Sequence, residues 1–290
     1  MIEWRPVIIQ TRNLKKTLKS SATTSVATRC GRVLRLLGHL AVGVFIIATR
    51  YSRLAQAERA VVTRRWAQHA LKILGVSIKV QGINPGFYPP NTLLVANHVS
   101  WLDIIALNSC TVSRFVAKRE IRDWPLIGWL AYVAGTLFID RGNRRDASRV
   151  NQILAEAMQN GGCMAVFPEA TTSDGSGLLP FKASLFEAAL LAGGTVQPVS
   201  LRYQRPDGSL LLEAAYIDEI SLLQSMGKVL SVPEIEVEIC YGKPLKAGDA
   251  GLDNRFLLAE AARAEVARGL RLALEAPAAA ASQATSETGA

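Results

Sequence analysis

The sequence predicts an α/β protein: a single mixed, largely parallel sheet flanked by helices, preceded by an N-terminal pair of membrane-associating helices. Three observations predict it. From residue 76 onward, short β-rich apolar runs alternate with segments of helical period, the pattern of strands joined through helices. Several of those runs, TLLVA and CMAV among them, are apolar throughout and read as buried strands. Ahead of them stands a basic leader and then an uncharged apolar run.

The leader carries Arg5, Arg12, Lys15, Lys16, Lys19, Arg29, Arg32 and Arg35 against a single acid, Glu3. The apolar run LLGHLAVGVFIIAT fills 36–49 and is closed by Arg50 and Arg53. Crossing the hydrocarbon core takes about 20 apolar residues, so this run is short, and His39 interrupts it. A helix lying in or dipping into the cytoplasmic leaflet of the inner membrane is the expectation. A tilted span and a buried soluble helix are the alternatives. Each basic residue close to an anionic surface adds about 1 kcal/mol of attraction. Residues 54–75 have helical spacing, with Leu54, Val61, Val62, Trp66, Ala70 and Leu74 on one broad face and Gly75 as the stop.

The elements beyond follow in order. SIKVQG is a strand, NPGFYPPN a turn, TLLVAN a buried strand, and a helix begins near Trp101. RFVAK is a strand, 124–132 an apolar helix, TLFID a strand, and 145–159 a helix ended by Gly161 and Gly162. CMAVFP is a strand, 183–191 a helix and TVQPVSLRY a strand. LLLEAAY and IEVEICY are read as later strands and 252–274 as the last helix. The chain thus divides into a leader with membrane-associating helices at 1–75, an α/β domain at 76–274 and a low-complexity, disordered tail at 275–290.

Composition bounds the function. A chain of 290 residues that is 49% hydrophobic buries a sizeable core without needing two domains, and no fixed-period repeat points to a solenoid. The formal charge of +9 asks for an anionic partner, whether nucleic acid, anionic lipid or a phosphorylated substrate. Cys30, Cys110, Cys163 and Cys240 are scattered, which suggests reduced, mostly buried thiols and no structural zinc.

Ligands of such sheets gather where strands end, so the polar residues just past the apolar runs are the candidates. NHVSWLD follows the strand TLLVA. Of three histidines, only His98 stands at a strand exit, and imidazole is the side chain that titrates near neutral pH. Asp103, five residues on, can reach it only if His98 precedes the helix and Asp103 lies in its first turn. Ser100 as N-cap, with Asp103 at the third helical position, supplies that geometry. The same residues also fit a plain capping box with His98 satisfied in a loop. GTLFIDR places Arg141 at another exit, where a guanidinium can hold a phosphate in two bonds or simply join a surface charge cluster. FPEATTSDGSG brings Glu169, Thr171 and Thr172 to a third, suited to a polar head group or to an ordinary turn. Its GSG lacks the spacing of a nucleophile elbow. Lys182 follows as a cation at the start of a helix. Pro198, inside a strand run, implies a bulge, an edge or the strand's first residue.

These four blocks, in this order over roughly 75–245, resemble the glycerolipid acyltransferase family, most closely its bacterial 1-acylglycerol-3-phosphate acyltransferase branch. The resemblance implies that His98 and Asp103 are a catalytic dyad, that Arg141 meets the acceptor phosphate and that Glu169 helps bind the acceptor. It links Pro198 to the acyl chain or donor. It further implies an acyl group carried by acyl-CoA or acyl carrier protein as co-substrate, a lysolipid acceptor, no metal and no bound cofactor, while the basic flank of the apolar run points to an anionic membrane surface as partner. Lysophosphatidic acid is the expected acceptor and lyso-ornithine lipid the alternative. The chain departs from the family in having Ala170 where glycine is usual after the glutamate. Either the turn there has ordinary handedness or the acceptor pocket differs. A non-catalytic membrane adaptor of the same fold is the rival of another class, and the intact pair argues against it. Nucleic-acid binding is not expected, since the positive charge lies beside the apolar run without interleaved aromatics.

Overall fold

A computed structural model describes residues 23–139, 144–217 and 220–273. The basic leader up to residue 22, the tail from 274, and Asp140 with Arg141 at the exit of GTLFID lie outside the described residues.

Two helices come first. Helix α1 (Val26–Thr49) is N-capped by Ser25, whose hydroxyl accepts from the Thr28 amide at 3.2 Å. A 3-10 turn over Tyr51–Arg53 leads into α2 (Gln56–Leu74). Helix α1 begins ten residues before the apolar run, because Arg29, Arg32 and Arg35 are good helix formers. Its 24 residues make it long and apolar enough to cross a membrane by length and composition. Helix α2 buries Ala60, Ala67, Ala70, Leu71 and Leu74, while Val61, expected on that face, is exposed. Gly75 ends it at φ 76°, as the sequence predicts. A side chain there would be strained by that φ, and its Cβ would sit 2.3 Å from the Arg32 guanidinium.

The α/β body is one sheet with strands in the order β1-β7-β6-β2-β5-β3-β4. The strands are β1 (Val76–Gly82), β2 (Thr92–Ala96), β3 (Arg114–Lys118), β4 (Leu137–Ile139), β5 (Cys163–Val166), β6 (Thr195–Gln204), β7 (Ile235–Tyr241) and β8 (Leu245–Lys246). Pairing is parallel except where β6 meets β7 and β8. The sheet is thus mixed and largely parallel. On one face α2, α3 (Leu102–Cys110) and α7 (Leu222–Ser231) bury Leu71, Leu102, Leu107 and Val229 against Leu94, Leu201 and Val237. The other face receives α5 (Arg144–Gln159), α6 (Glu187–Ala192) and α8 (Arg255–Leu270), with Leu154, Met158 and Leu258 against Leu93, Met164 and Val196. Helix α4 (Ile127–Val133) follows a 3-10 turn over Arg119–Asp123.

Three expectations need correction. LLLEAAY is not a strand: after one bridge from Leu210 to Gln204 it coils into a 3-10 turn, Leu212–Ala214. Helix α7 was not expected, although Ser221 and Gln224 form a reciprocal capping box that is legible as S-x-x-Q. Pro198 lies in mid-strand, not at a bulge, an edge or a first residue. One side of β6 is taken by β2 throughout this stretch. On the other side, β8 pairs at Thr195 and Val196, and β7 begins at Val199. Pro198 therefore falls in the gap between two neighbours, where its missing N–H removes no ladder bond.

Candidate active site

The site forms where β2 runs out. Asn97 is fully buried, and its side-chain amide donates to the Leu201 carbonyl (2.9 Å) and accepts from the Leu201 amide (2.8 Å). One side chain thus prolongs the β2–β6 ladder by a residue and fixes the direction in which His98 leaves. Nδ1 of His98 lies 2.7 Å from Oδ2 of Asp103, in the first turn of α3. The same oxygen accepts from the amides of Val99 (2.8 Å) and Ser100 (3.0 Å). Oδ1 accepts from the Tyr203 hydroxyl at 2.6 Å. Asp103 is 0% exposed, and burying a carboxylate is tolerable only with such a set of donors.

The pair therefore meets, though not by the expected capping. Ser100 does not cap α3, and its buried hydroxyl finds no partner among the described residues. Asp103 is the second helical residue rather than the third, and its carboxylate reaches back to the amides before the helix. With a carboxylate on Nδ1, the proton belongs on that nitrogen and Nε2 is left as the basic atom. The His98 side chain is 22% exposed, and Nε2 has no hydrogen bond among the described residues. Phe167 stacks flat beneath the imidazole, with centroids 4.0 Å apart and planes 9° from parallel, and locks the ring's orientation.

Glu169 is placed differently from expectation. Its two oxygens accept from the backbone amides of His98 (2.7 Å) and Leu179 (2.9 Å), and it is 5% exposed. Burial pushes its carboxyl above the usual carboxylate range, against the pull of those two amides. It braces the loops on either side of the imidazole and does not face the cavity. Ala170 beside it has φ 62°, so the turn keeps the left-handed form that glycine would take freely. Thr172 donates its hydroxyl to the Tyr216 carbonyl. Thr171 and Lys182 are exposed and line the cavity with His98, while Pro198 does not reach it. Arg141 lies outside the described residues.

That cavity, about 1450 Å³, is walled mainly by apolar side chains of α1, α2, α3 and α4 and by the stacked Phe167. It is larger than a site for a small polar metabolite needs. A base at the edge of a long apolar cavity can take a proton from a hydroxyl whose own molecule is largely hydrocarbon. Tyr203 and Phe167 escaped the sequence reading. Tyr203 was hidden in the alternation Val199, Leu201, Tyr203, which looks like core packing alone. A phenolic hydroxyl at the last inward position of such a strand, level with the dyad, was the available signal.

The family described as Acyltransferase matches residues 77–202. A 1-acyl-sn-glycerol-3-phosphate acyltransferase of Neisseria gonorrhoeae is 40% identical over 172 residues, 59% of this chain and 67% of that protein. A lyso-ornithine lipid O-acyltransferase of Pseudomonas aeruginosa is 39% identical over 249 residues, 84% of this chain and 92% of that protein. The solved structure of the 1-acyl-sn-glycerophosphate acyltransferase of Thermotoga maritima shares the fold, with TM-score 0.60 and 21% identity over 83% of this chain and 96% of that one. Fold, site and sequence together define an acyltransferase. The chain belongs to the glycerolipid acyltransferase family, the family of the relatives just described.

Proposed function

We propose that the protein transfers a fatty acyl group from an acyl thioester to the free hydroxyl of lysophosphatidic acid, giving phosphatidic acid at a membrane surface. The observation that carries this is the His98 imidazole, held by a buried carboxylate at the edge of an apolar cavity. The acceptor hydroxyl is a poor nucleophile at neutral pH. His98 Nε2 takes its proton as the oxygen attacks the thioester carbonyl, and Asp103 holds the ring and stabilises the imidazolium. Collapse of the tetrahedral intermediate forms the ester, and the thiol leaves with a proton returned by His98. Acyl-CoA or acyl carrier protein supplies the thioester and is consumed, so the route uses no metal and no resident cofactor. Lys182 and Thr171 face the cavity and meet the acceptor head group, joined by Arg141. The site faces the cytoplasmic leaflet, where thioester donors are found.

Transfer of radiolabelled acyl groups into extracted lipid tests the reading. His98→Ala should lower the rate by about 10²–10⁴-fold with the thermal transition retained. Near-normal turnover in a folded variant would remove His98 from the reaction. Arg141→Ala should raise the KM for a phosphorylated acceptor more than it lowers kcat.

A second acceptor is favoured by one observation: the relative matched over nearly its whole length carries the lyso-ornithine lipid name. Lyso-ornithine lipid has no phosphate, and the same dyad would serve its hydroxyl. Purified protein offered each lysolipid in parallel decides between them.

A further inference from the structure

We propose that the segment from Arg119 to Val133 is a second membrane-contacting surface, seated in the lipid interface together with α1. The segment is a compact helical knuckle. The Trp124 amide bonds the Ile121 carbonyl, the Gly128 amide bonds the Trp124 carbonyl at 2.9 Å, and a Cβ on Gly128 would lie 2.1 Å from the Arg122 carbonyl oxygen. Closing the knuckle in this way leaves Trp124, Leu126, Ile127, Trp129 and Tyr132 each between 37% and 57% exposed. Leu126 even occupies φ 62°, a strained conformation for leucine, with its side chain turned to solvent. A fold that strains backbone to display an apolar side chain calls for something apolar to cover it.

The chemistry around the knuckle names the cover. Lys118, Arg119 and Arg122 are exposed along the knuckle, outnumbering the exposed Glu120 and Asp123 between and beside them, and the Arg122 guanidinium lies 5.3 Å over the Tyr132 ring. Indole and phenol rings flanked by cations are the composition of a membrane–water interface on an anionic leaflet. Position agrees. The reverse side of the knuckle, through Ile121, Trp124, Ile127 and Leu130, lines the same cavity as His98 and the inner side of α1, which leaves Leu126, Trp129 and Tyr132 as its outward apolar face. Helix α1 likewise turns Val33, Leu34, Leu37, Val42 and Phe45 outward at helical spacing. Two walls of one lipid-sized cavity thus carry outward apolar faces, and one bilayer covers both. This rests on the proposed lysolipid reading, in which the acceptor comes out of the leaflet between those walls.

Environment-sensitive labels on the full chain test the proposal, at Trp129→Cys and separately at Leu37→Cys, with Cys30 and Cys240 replaced by serine. The vesicles hold equal parts phosphatidylglycerol and phosphatidylethanolamine. Both labels should brighten and shift to the blue, and spin-labelled lipid should quench both. Response at 37 without response at 129 overturns the second surface and leaves membrane binding standing. Silence at both overturns membrane binding as well. A response at 129 that needs no vesicles and grows with protein concentration means that a second copy covers the patch, which also overturns the proposal. Activity adds an independent arm, using Leu126→Asp with Trp129→Asp, neither of which lines the cavity. Turnover of vesicle-embedded lysolipid should fall about tenfold, while turnover of a short-chain, water-soluble lysolipid is unchanged. Equal rates, or equal losses, on the two acceptors overturn it.

Discussion

Ala170 sits in a backbone conformation that suits glycine, one residue past the Glu169 brace and on the wall of the cavity. A left-handed alanine costs about 1–2 kcal/mol, partly offset because alanine has less freedom than glycine to lose on folding. Ala170→Gly should therefore raise stability by up to ~1 kcal/mol, read as a higher thermal midpoint. A lower midpoint would show that the turn is unstrained. Tyr203 gives a second prediction. Its buried hydroxyl donates to the dyad carboxylate, and burial beside Asp103 pushes the phenol well above its usual pKa, so it remains a donor throughout the working range. Tyr203→Phe should lower kcat about tenfold with little change in acceptor KM, and should cost about 1–3 kcal/mol for the oxygen left short of a donor. Loss of stability without loss of kcat would make Tyr203 a packing residue only. The contact between His98 and Asp103 was legible in the sequence, but its support was not. A histidine at a strand exit is conspicuous among three, whereas Tyr203 lies a hundred residues from Asp103 and joins it only when β6 lies beside β2.

At the scale of elements, α1 is both wall and exterior. Its inner side meets α2 and the cavity, while Leu37 and Phe45 point out. Leu37→Asp with Phe45→Asp should weaken flotation with anionic vesicles and leave the thermal midpoint unchanged, since neither side chain is buried. A lowered midpoint would mean that this face packs on protein. Helices and strands with strong period were legible, down to Gly75 as a stop and the Gly161–Gly162 end of α5. What failed depended on neighbours. Residues 210–216 look like a strand, but only Leu210 bridges to β6, and Leu211 donates to the Tyr203 carbonyl before the chain coils. Strand β8, at two residues, is too short to carry any period. Pro198 looked misplaced for a central strand because the vacancy between β8 and β7 exists only in the assembled sheet.

At the scale of the whole molecule, charge and cavity act together. A chain of formal charge +9, with eight basic residues against one acid before and within α1, should bind anionic vesicles less tightly as salt rises, because screening shortens the reach of those charges. Co-sedimentation across an ionic-strength series checks this, and salt-independent binding would leave apolar insertion as the whole attraction. Helix α1 is also not a loose tether. Thr24 bonds the carbonyls of Leu230 and Ser231, and the buried Arg32 guanidinium grips those of Val232 at 2.7 Å and Pro233 at 2.6 Å, just past α7. Charged donors on carbonyls contribute about 1.5–3 kcal/mol each, so the α/β body cannot swing freely about α1. On the proposed reading, with α1 seated in the membrane, the depth of the imidazole below the lipid surface is a built-in dimension of the protein. A lysolipid hydroxyl would then be met at one fixed height in the leaflet, and a head group longer or shorter than that height would present its hydroxyl out of register with His98.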